Sequence, residues 1–394
     1  MKVTIVGGGF GGVKTAIELA KNPSCKITLI SDKSYFQYYP TLYRSATGHS
    51  HRESWFMLRE IFQYYTNVTI IKDSITAIDP DTKTLRAASG THYRYNTLVL
   101  ALGSVTTYFG IEGLEQYTHG IKSPDEIRRL QDHLFREMGD ERITDKHYVI
   151  IGAGPTGVEL AASLGQYLKR LQKHFKLRRR KIHIDLIEAA PRVLPRSHES
   201  ISRAVHARLR KLGITVQCGK TVERATADTL MVSGKPINSH TVIWTSGVAN
   251  APFFTDNAAH FQLDQRRHVI VDEYLMARPH VYVIGDNAAT PFGGLAQTAV
   301  HNAHYVARHI QATQAHPHRR IAPYHPSTRG SVVPVGKNWA VFEYKNIRLS
   351  GYPAHIIRVA ADFIGYYDIL PLNRALHAWR AGEQEELHVP DFIK

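Results

Sequence analysis

Apolar and polar positions at the start of the chain follow a distinct order. Residues 3–6 form a short apolar run, residues 7–12 are rich in glycine, and apolar residues then recur at helical spacing over residues 16–20. A second apolar run covers residues 27–30. This order predicts a strand, a tight turn, a helix and a second parallel strand, which is the unit that binds a dinucleotide.

Three glycines of the first turn each have a physical reason. Gly7 allows the tight turn, Gly9 lets the backbone approach a pyrophosphate, and Gly12 lets the helix pack on the strand. The helix N-terminus then receives the phosphates, and an acidic residue after the second strand binds a ribose hydroxyl. We therefore predict contacts with the first dinucleotide at Gly7, Gly9, Phe10, Gly11, Gly12, Ser31, Asp32 and Lys33.

The same order returns in the middle of the chain. Residues 148–151 form an apolar run, residues 152–157 carry three glycines, and a second strand at residues 182–187 ends at Glu188. A glycine-rich turn without a ligand explains one such unit but not two complete ones. The sequence therefore predicts a second dinucleotide, with contacts at Gly152, Gly154, Pro155, Thr156, Gly157 and Glu188.

Two further apolar runs end in glycine turns. Residues 97–102 lead into Gly103, and residues 281–284 lead into Gly285 and Asp286. Both runs predict parallel strands whose carboxyl ends meet a ligand. Asp286 either caps the next helix or binds the first dinucleotide, and the presence of two glycine fingerprints favours the second interpretation.

Length and cysteine content narrow the class of protein. The 394 residues are enough for two or three domains. Cys25 and Cys218 stand far apart in the sequence, which argues against a disulfide framework and a thiol redox centre. No run reaches the ~18 consecutive apolar residues of a membrane span, and the first apolar run leaves no room for a signal peptide. We expect a protein on the cytoplasmic side, either free or on a membrane surface.

Lysine and arginine outnumber aspartate and glutamate by 49 to 34, which gives a net charge of +15. Part of the excess lies in a basic run over residues 169–181. Such a surplus favours anionic surfaces, although a solvated basic surface has the same composition. Because the sequence carries no recognised nucleic-acid module and no zinc-ligand spacing, it favours anionic lipid and anionic cofactors over nucleic acid, and it predicts no metal.

Five motifs occur in the order of one known family. They are the two glycine fingerprints, the Ala101-Leu-Gly103 turn, residues 244–248 (Trp-Thr-Ser-Gly-Val) and residues 284–286 (Ile-Gly-Asp). Together they resemble the two-dinucleotide-binding-domain flavoproteins. The resemblance implies an α/β fold with two Rossmann-like domains, non-covalent FAD at the first fingerprint and NAD(P)H at the second. The implied further contacts are Ala101, Gly103, Gly285 and Asp286 for FAD, and Glu159, Ser246 and Gly247 for NAD(P)H.

Cysteine content and the flavin-side segment indicate the branch of this family. Disulfide reductases and sulfide:quinone oxidoreductases need paired cysteines, which this sequence lacks. Residues 39–48 resemble the flavin-side segment of the type II NADH dehydrogenases, residues 296–299 resemble the start of their quinone-site motif, and residues 342–351 and 372–379 resemble their membrane-docking region. The implied FAD contacts then also include Tyr43, Thr47, Ala296 and Gln297.

The resemblance also implies domain limits. The FAD domain is expected in two parts, residues 1–118 and 255–325, around an inserted NAD(P)H domain at residues 119–254. Residues 326–394 are expected to form an α+β region for membrane docking or homodimer formation. Within it, residues 352–379 suit an interfacial helix, with Arg358 among the basic residues beside an apolar face, and equally a helix buried between domains or subunits.

Three residues are expected to take part in catalysis. By the resemblance, Glu159 orients the nicotinamide, and the alternative is an ordinary first-turn glutamate favoured by the helix dipole. Gln297 is expected beside the flavin, where a helix N-terminus stabilises the arriving negative charge. His301 stands where the family has a second glutamine and would donate to a quinone, unless it is a packed histidine bonded to a backbone carbonyl. Glu188 is expected to favour NADH over NADPH.

Two departures from the family bear on these expectations. Ser31 precedes Asp32 where the family has an acid directly after the strand, so ribose recognition is shared or shifted. The chain from Glu383 onward is acidic where the family is often aromatic and basic, which predicts weaker membrane affinity.

Three functions follow from the sequence. The first is a non-pumping NADH:quinone oxidoreductase at the cytoplasmic face of the membrane, with menaquinone or ubiquinone as acceptor. The second is a FAD- and NADH-dependent reductase of a small redox protein or of oxygen. The third is a FAD-binding regulatory protein without turnover, against which the complete second fingerprint argues.

Overall fold

Two sheets with parallel cores carry the two glycine-rich turns. The computed structural model describes residues 1–140, 146–177, 181–316, 321–327 and 330–389. The strands in these residues are β1 (Lys2–Val6), β2 (Lys26–Ser31), β3 (Tyr35–Gln37), β4 (Trp55–Met57), β5 (Val68–Lys72), β6 (Ile75–Asp79), β7 (Thr84–Ala87), β8 (His92–Arg94), β9 (Thr97–Leu100), β10 (Ser104–Thr106), β11 (Lys146–Ile151), β12 (Ile182–Glu188), β13 (Ile214–Cys218), β14 (Val222–Ala225), β15 (Thr229–Val232), β16 (Lys235–Asn238), β17 (Thr241–Trp244), β18 (Val248–Asn250), β19 (Met276–Arg278), β20 (Val281–Val283), β21 (Ser331–Pro334), β22 (Ala340–Tyr344) and β23 (Ile347–Gly351). The helices are α1 (Phe10–Ala20), α2 (Leu42–Ala46), α3 (Leu58–Ile61), α4 (Leu114–Tyr117), α5 (Pro124–Gly139), α6 (Pro155–His174), α7 (Glu199–Lys211), α8 (Pro252–Asp256), α9 (Ala296–Ala315), α10 (Tyr352–Tyr367) and α11 (Leu372–Ala381).

The first sheet combines strands from early and late parts of the chain. Its order is β19-β20-β9-β1-β2-β5, and β1 pairs in parallel with both β2 and β9. β20 joins β9 in parallel, and β19 closes that edge in the antiparallel sense. Because apolar side chains fill both faces of β1 and β9, these strands lie in the interior, as parallel strands between helices do. Helix α1 packs between this sheet and α9.

The second sheet is formed by a segment between β9 and β20. Its order is β13-β12-β11-β17, with every pairing parallel. Helices α5 and α6 pack against each other, and the short antiparallel ribbon of β10 and β18 joins the two sheets. A third region follows, in which α10 lies on the antiparallel sheet β21-β22-β23 and pairs with α11.

The predicted fold class, α/β with two Rossmann-like units and a C-terminal α+β region, is confirmed by this architecture. The residue limits proposed for the domains stay a prediction. Arg178, Arg179 and Arg180 of the basic run, and residues 390–394, lie outside the described residues. Among the helices that the structure describes, none is long and apolar enough to cross a bilayer.

Helix α10 turns several apolar side chains outward and a charged pair inward. Its buried positions include Arg358 and Asp362, whereas Ile356 is 56% and Ile364 61% exposed. The expectation that Arg358 lies beside an outward apolar face was therefore wrong, because the guanidinium points inward and pairs with Asp362 at 2.9 Å. The expected single helix is also two helices, and Pro371 directly precedes α11.

Candidate functional site

The first glycine turn leaves room for a ligand at one glycine and for none at the others. An added Cβ at Gly7 would lie 2.1 Å from the Ala101 carbonyl oxygen, and one at Gly12 would lie 1.9 Å from the Gly7 oxygen. Gly7 also has a positive φ of 116°. At Gly9, no described atom lies within 4 Å of that position. Gly7 and Gly12 therefore hold backbone against backbone, while Gly9 borders open space.

The N-terminus of α1 opens onto the same space. Its N-cap is Gly9, no described side chain caps it, and its first turn has no acidic residue. The first N–H groups of such a helix have no partner within the helix and carry partial positive charge. The combination of an open glycine and an uncapped helix fits the pyrophosphate of a dinucleotide.

The second glycine turn repeats this geometry. A Cβ at Gly152 would lie 2.0 Å from Ser246 Oγ, and one at Gly157 would lie 1.8 Å from the Gly152 oxygen. Gly154 has no described atom within 4 Å and is the uncapped N-cap of α6. Pro155 and Thr156 are exposed at the start of that helix. Gly247 lies nearby with a positive φ of 74°.

The acidic residues at the ends of β2 and β12 differ in their partners. Asp32 is exposed, whereas Ser31 is buried and its Oγ accepts from the Lys33 amide at 3.2 Å. An added Cβ at Gly8 would lie 2.5 Å from Ser31 Oγ, so Ser31 lies against the first glycine turn, and Asp32 offers the exposed carboxylate. Glu188 accepts at 2.6 Å from the Ala153 amide within the second glycine turn, so it braces that turn as well as ending the strand.

The carboxyl ends of β9 and β20 are tied together by side chains. Asn287 accepts from the Gly103 amide at 2.9 Å and donates to the Gly103 oxygen at 2.6 Å. Ser104 donates to Asp286 at 2.9 Å. The interpretation of Asp286 as a helix cap was wrong, because the next helix is α9, whose N-cap is Leu295. Sequence reasoning missed Asn287, although it directly follows the Gly-Asp motif.

Some predicted flavin contacts have their side chains occupied elsewhere. The Phe10 ring is buried in the core 4.9 Å from the Phe36 ring, so its side chain is not free for a cofactor. Thr47 Oγ1 lies 2.6 Å from Ser163 Oγ on α6. The remaining predicted contacts lie as follows: Tyr43, Ala101 and Gly285 are buried, Ala296 is half-buried, and Gly11 lies in the first turn of α1.

Gln297 and His301 lie one turn apart on α9 but differ in their surroundings. Gln297 is exposed in the first turn, at an N-terminus that no described side chain caps. A ring nitrogen of His301 lies 3.0 Å from the His325 carbonyl oxygen, and the ring lies 5.3 Å from that of Tyr324. This is the contact that the packed-histidine interpretation predicts, so the geometry favours Gln297 as the residue open to a ligand.

Glu159 lies on α6 inside a cluster of charged groups. Burial raises the pKa of its carboxyl to about 8, against the lowering effect of Arg358 and Arg44. Arg358 pairs with Asp362 and donates to the Pro40 oxygen at 3.2 Å, which ties α10 to the segment preceding α2. The cluster therefore joins the second glycine unit, the segment around α2 and the C-terminal region.

Two more members of the cluster were not found from the sequence. Arg44 lies 2.5 Å from Glu53 and 3.6 Å from Asp362, and burial raises the pKa of Glu53 to about 7. Asp362 was not found from the sequence either, although its i, i+4 spacing from Arg358 on an otherwise apolar helix was an available signal. Three carboxyls therefore face two guanidinium groups.

Comparison with known proteins agrees with this geometry. Residues 1–307 match the family described as pyridine nucleotide-disulphide oxidoreductase. The chain is 30% identical to the type II NADH:quinone oxidoreductase Ndh of Mycobacterium tuberculosis, over 90% of this chain and 82% of that protein. It is 25% identical to a Staphylococcus aureus protein of the same name, over 79% and 82%.

Solved structures share the fold at lower identity. NDH2 from Plasmodium falciparum in complex with NADH superposes with a TM-score of 0.85, at 18% identity and 97% coverage of both chains. The sulfide:quinone oxidoreductase of Aquifex aeolicus has a TM-score of 0.78 at 21% identity, covering 100% of this chain and 93% of that one. At these identities the similarity is one of fold.

The raised pKa of Glu159 predicts a pH-dependent stability. Between pH 4.5 and about 8 the unfolded chain has lost this proton and the folded chain keeps it, so the stability contributed by the group falls as pH rises through this window. We expect Glu159→Gln to match the parent near the lower limit and to exceed its unfolding free energy near the upper limit, by on the order of a few kcal/mol.

Chemical unfolding of parent and variant at both pH values measures this difference, and Glu383→Gln, at an exposed position, is the control. A Glu159→Gln effect that is equal at both pH values would contradict a buried, protonated carboxyl.

Proposed function

This chain belongs to the pyridine nucleotide-disulphide oxidoreductase family and, within it, to the type II NADH:quinone oxidoreductases, and we propose that it oxidises NADH and passes the electrons to a quinone. The observation that carries the proposal is the pair of glycine turns, each with one open glycine at an uncapped helix. Two such cradles fit two dinucleotides, FAD and NADH. With only Cys25 and Cys218, far apart, the sequence offers no dithiol for disulfide or sulfide chemistry.

The cofactor site is proposed from the geometry at the first sheet. The turn at Gly9 and the N-terminus of α1 would hold the pyrophosphate of FAD, and Asp32 would bind a ribose. The sheet edge at Gly103 and Asp286 would contact the part of FAD that leads to the flavin ring. When bound, FAD supplies the ring that takes hydride from NADH and returns electrons to the acceptor. The uncapped end of α9, with Gln297, supplies partial positive charge where negative charge arrives.

The NADH site is proposed from the second sheet. The turn at Gly154 and the N-terminus of α6 would hold the pyrophosphate, and Glu188 the adenosine ribose. Arg192, four residues after Glu188, is a cation that could attract the 2′-phosphate of NADPH. Its guanidinium instead donates to the carbonyls of Pro195 and Ser197, at 2.8 and 2.7 Å. Because that guanidinium is engaged within its own loop, the negative charge of Glu188 dominates at the ribose and favours NADH.

Residues on the outer face of α10 support a location on the membrane surface. Tyr352, Ile356, Ile364 and Tyr367 are each more than half exposed and recur at helical spacing. The adjoining elements carry exposed basic residues, Lys345, Arg374 and Arg380. An apolar stripe beside cations suits the headgroup region of an anionic bilayer, so we propose peripheral attachment through α10.

The two half-reactions test the proposed activity. The purified protein is expected to carry about one non-covalent FAD per chain, to bleach on adding NADH and to regain its colour with a quinone analogue. Gln297→Ala should slow reoxidation by quinone about tenfold and leave reduction by NADH nearly unchanged.

Stopped-flow absorbance measures each step. His301→Ala is the companion variant, and we expect a smaller effect because that ring is bound to the His325 oxygen. A protein that cannot be loaded with FAD, or that NADH does not reduce, would overturn the proposed function. Equal loss in both half-reactions of Gln297→Ala would move the acceptor elsewhere.

Coenzyme selection is tested at Glu188. Glu188→Gln keeps one acceptor oxygen, for the Ala153 amide, at the expense of the bond from the Ala190 amide, and removes the charge. The preference for NADH over NADPH, measured as the ratio of kcat/KM values, should therefore fall about tenfold. Glu188→Ser removes the brace as well and should weaken both coenzymes. An unchanged ratio in Glu188→Gln would assign the ribose to another residue.

Membrane attachment is tested on the α10 stripe. The double variant Ile356→Asp, Ile364→Asp should bind vesicles of phosphatidylcholine and phosphatidylglycerol at least about tenfold more weakly. The reason is that each substitution removes apolar side-chain area that would be buried in the bilayer. Ile270→Asp, at a 47% exposed position remote in sequence from α10, is the control. Cosedimentation measures binding, and light scattering reports whether the stripe instead joins two copies of the chain.

A further inference from the structure

The two charge features that the sequence singled out meet each other in the structure. Helix α6 carries the start of the basic run, including Arg170, and residues 383–389, the tail, are rich in glutamate. After α11 the tail folds back along residues 48–50. His49 and Glu385 form an antiparallel bridge, the Ser50 amide donates to the Gln384 oxygen at 3.2 Å, and the Glu386 amide donates to the Gly48 oxygen at 2.7 Å.

Arg170 joins the three segments. Its guanidinium forms an ion pair with Glu385 and donates at 2.6 Å to the Thr47 oxygen. It also lies over the Tyr167 ring at 5.6 Å. One side chain of α6 therefore binds both the tail and the segment that follows α2.

The far end of the tail is held by α5. His388 Nε2 lies 2.6 Å from Asp132 Oδ1, and Leu387 and Val389 pack against the core of the second sheet. At Gly48 the fit is close, since an added Cβ would lie 2.6 Å from the Glu386 oxygen and 2.8 Å from the Tyr167 ring. The tail thus contacts α5, α6 and residues 48–50 along its described length.

These contacts connect the two proposed cofactor sites. Residues 42–48 lie in the segment that resembles the flavin-side segment of the family, and residues 49–50 directly follow it, while α6 begins at the proposed NADH turn and carries Glu159. Hydride transfer requires the reacting atoms to be ~3–3.5 Å apart, and a displacement of about 1 Å costs up to about 100-fold in rate. Fixing α6 against residues 42–50 therefore affects the distance on which the reaction depends.

We propose that residues 384–389, which make these contacts, form a strap that holds α6 in register with residues 42–50 and so positions NADH for hydride transfer, with Arg170 and Glu385 as positioning residues. The proposal rests on the proposed function for its catalytic consequence. The existence of the strap as a structural element does not depend on that function. Its contacts and its effect on hydride transfer are both measurable in the same holoenzyme.

Charge reversal at Glu385 tests the strap. Glu385→Lys faces Arg170 with a like charge, and we expect the limiting rate of FAD reduction by NADH to fall about fivefold or more. The Kd for NADH should stay within about twofold, because the proposed pyrophosphate contacts lie at the other end of α6. Reoxidation of prereduced enzyme by quinone should not change. Glu383→Lys is the matched control, since it makes the same charge change at an exposed residue for which the described part of the chain shows no ion pair.

Hydrogen exchange measures the strap without activity. In Glu385→Lys the amides of Ser50 and Glu386 should exchange at least about tenfold faster, and in Glu383→Lys they should match the parent. The double variant Arg170→Glu, Glu385→Lys restores opposite charges but not the donation to the Thr47 oxygen, so it should recover part of the slow exchange and of the reduction rate, and both should lie closer to the parent than in Glu385→Lys alone.

Equal exchange in Glu385→Lys and Glu383→Lys would overturn the strap, and faster exchange with an unchanged reduction rate would overturn its positioning role. Failure of NADH to reduce the parent protein would instead overturn the proposed function, and with it the positioning role, while the exchange comparison would still decide whether the strap holds α6.

Discussion

Both nucleotide cradles depend on the same steric constraint, in which a carbonyl oxygen occupies the space of a side chain. At Gly12 and Gly157 the first residue of the turn places its oxygen within 2 Å of the position a Cβ would take. This contact lets α1 and α6 start directly over the carboxyl ends of β1 and β11, with their N-termini uncapped. Any larger residue would push the helix away and close the space beside Gly9 or Gly154, so the sheets, crevices and helix dipoles all follow from it.

A second constraint is the burial of charge at the junction of the three regions. Isolated buried charges are costly, whereas paired and hydrogen-bonded ones are tolerated. Arg44 and Arg358 face Glu53, Asp362 and Glu159, so one carboxyl is in surplus and burial favours its protonated form. Because the charged groups of α10, Arg358 and Asp362, point into this junction, the outer face of the helix is left apolar. The inward pairing and the outward stripe are two results of the same helix sequence.

Local patterns predicted the first of these constraints and missed the second. A glycine turn between a strand and a helix is encoded within about 30 residues, so both fingerprints, their strands and Asp32 were accessible from the sequence. The inward direction of Arg358 is fixed by its contacts with Asp362 and with the Pro40 oxygen, and Pro40 is more than 300 positions earlier in the chain. Hydrophobic periodicity identifies a helix with two faces but does not say which face turns inward when a charged pair finds buried partners.

The same reasoning limits what net charge says about partners. The excess of +15 is a property of composition, but cations differ in whether they are available to an outside surface. Arg44 and Arg358 are paired in the interior, Lys14 is buried and donates to the Asp368 oxygen at 2.8 Å, and Arg170 is paired with the tail. The basic run of α6, which suggested lipid in the sequence, is thus partly neutralised by the chain itself. Attraction to an anionic membrane must come from exposed cations near α10, such as Lys345 and Arg380, and their position beside the apolar stripe, more than their number, determines how the protein would be oriented on a bilayer.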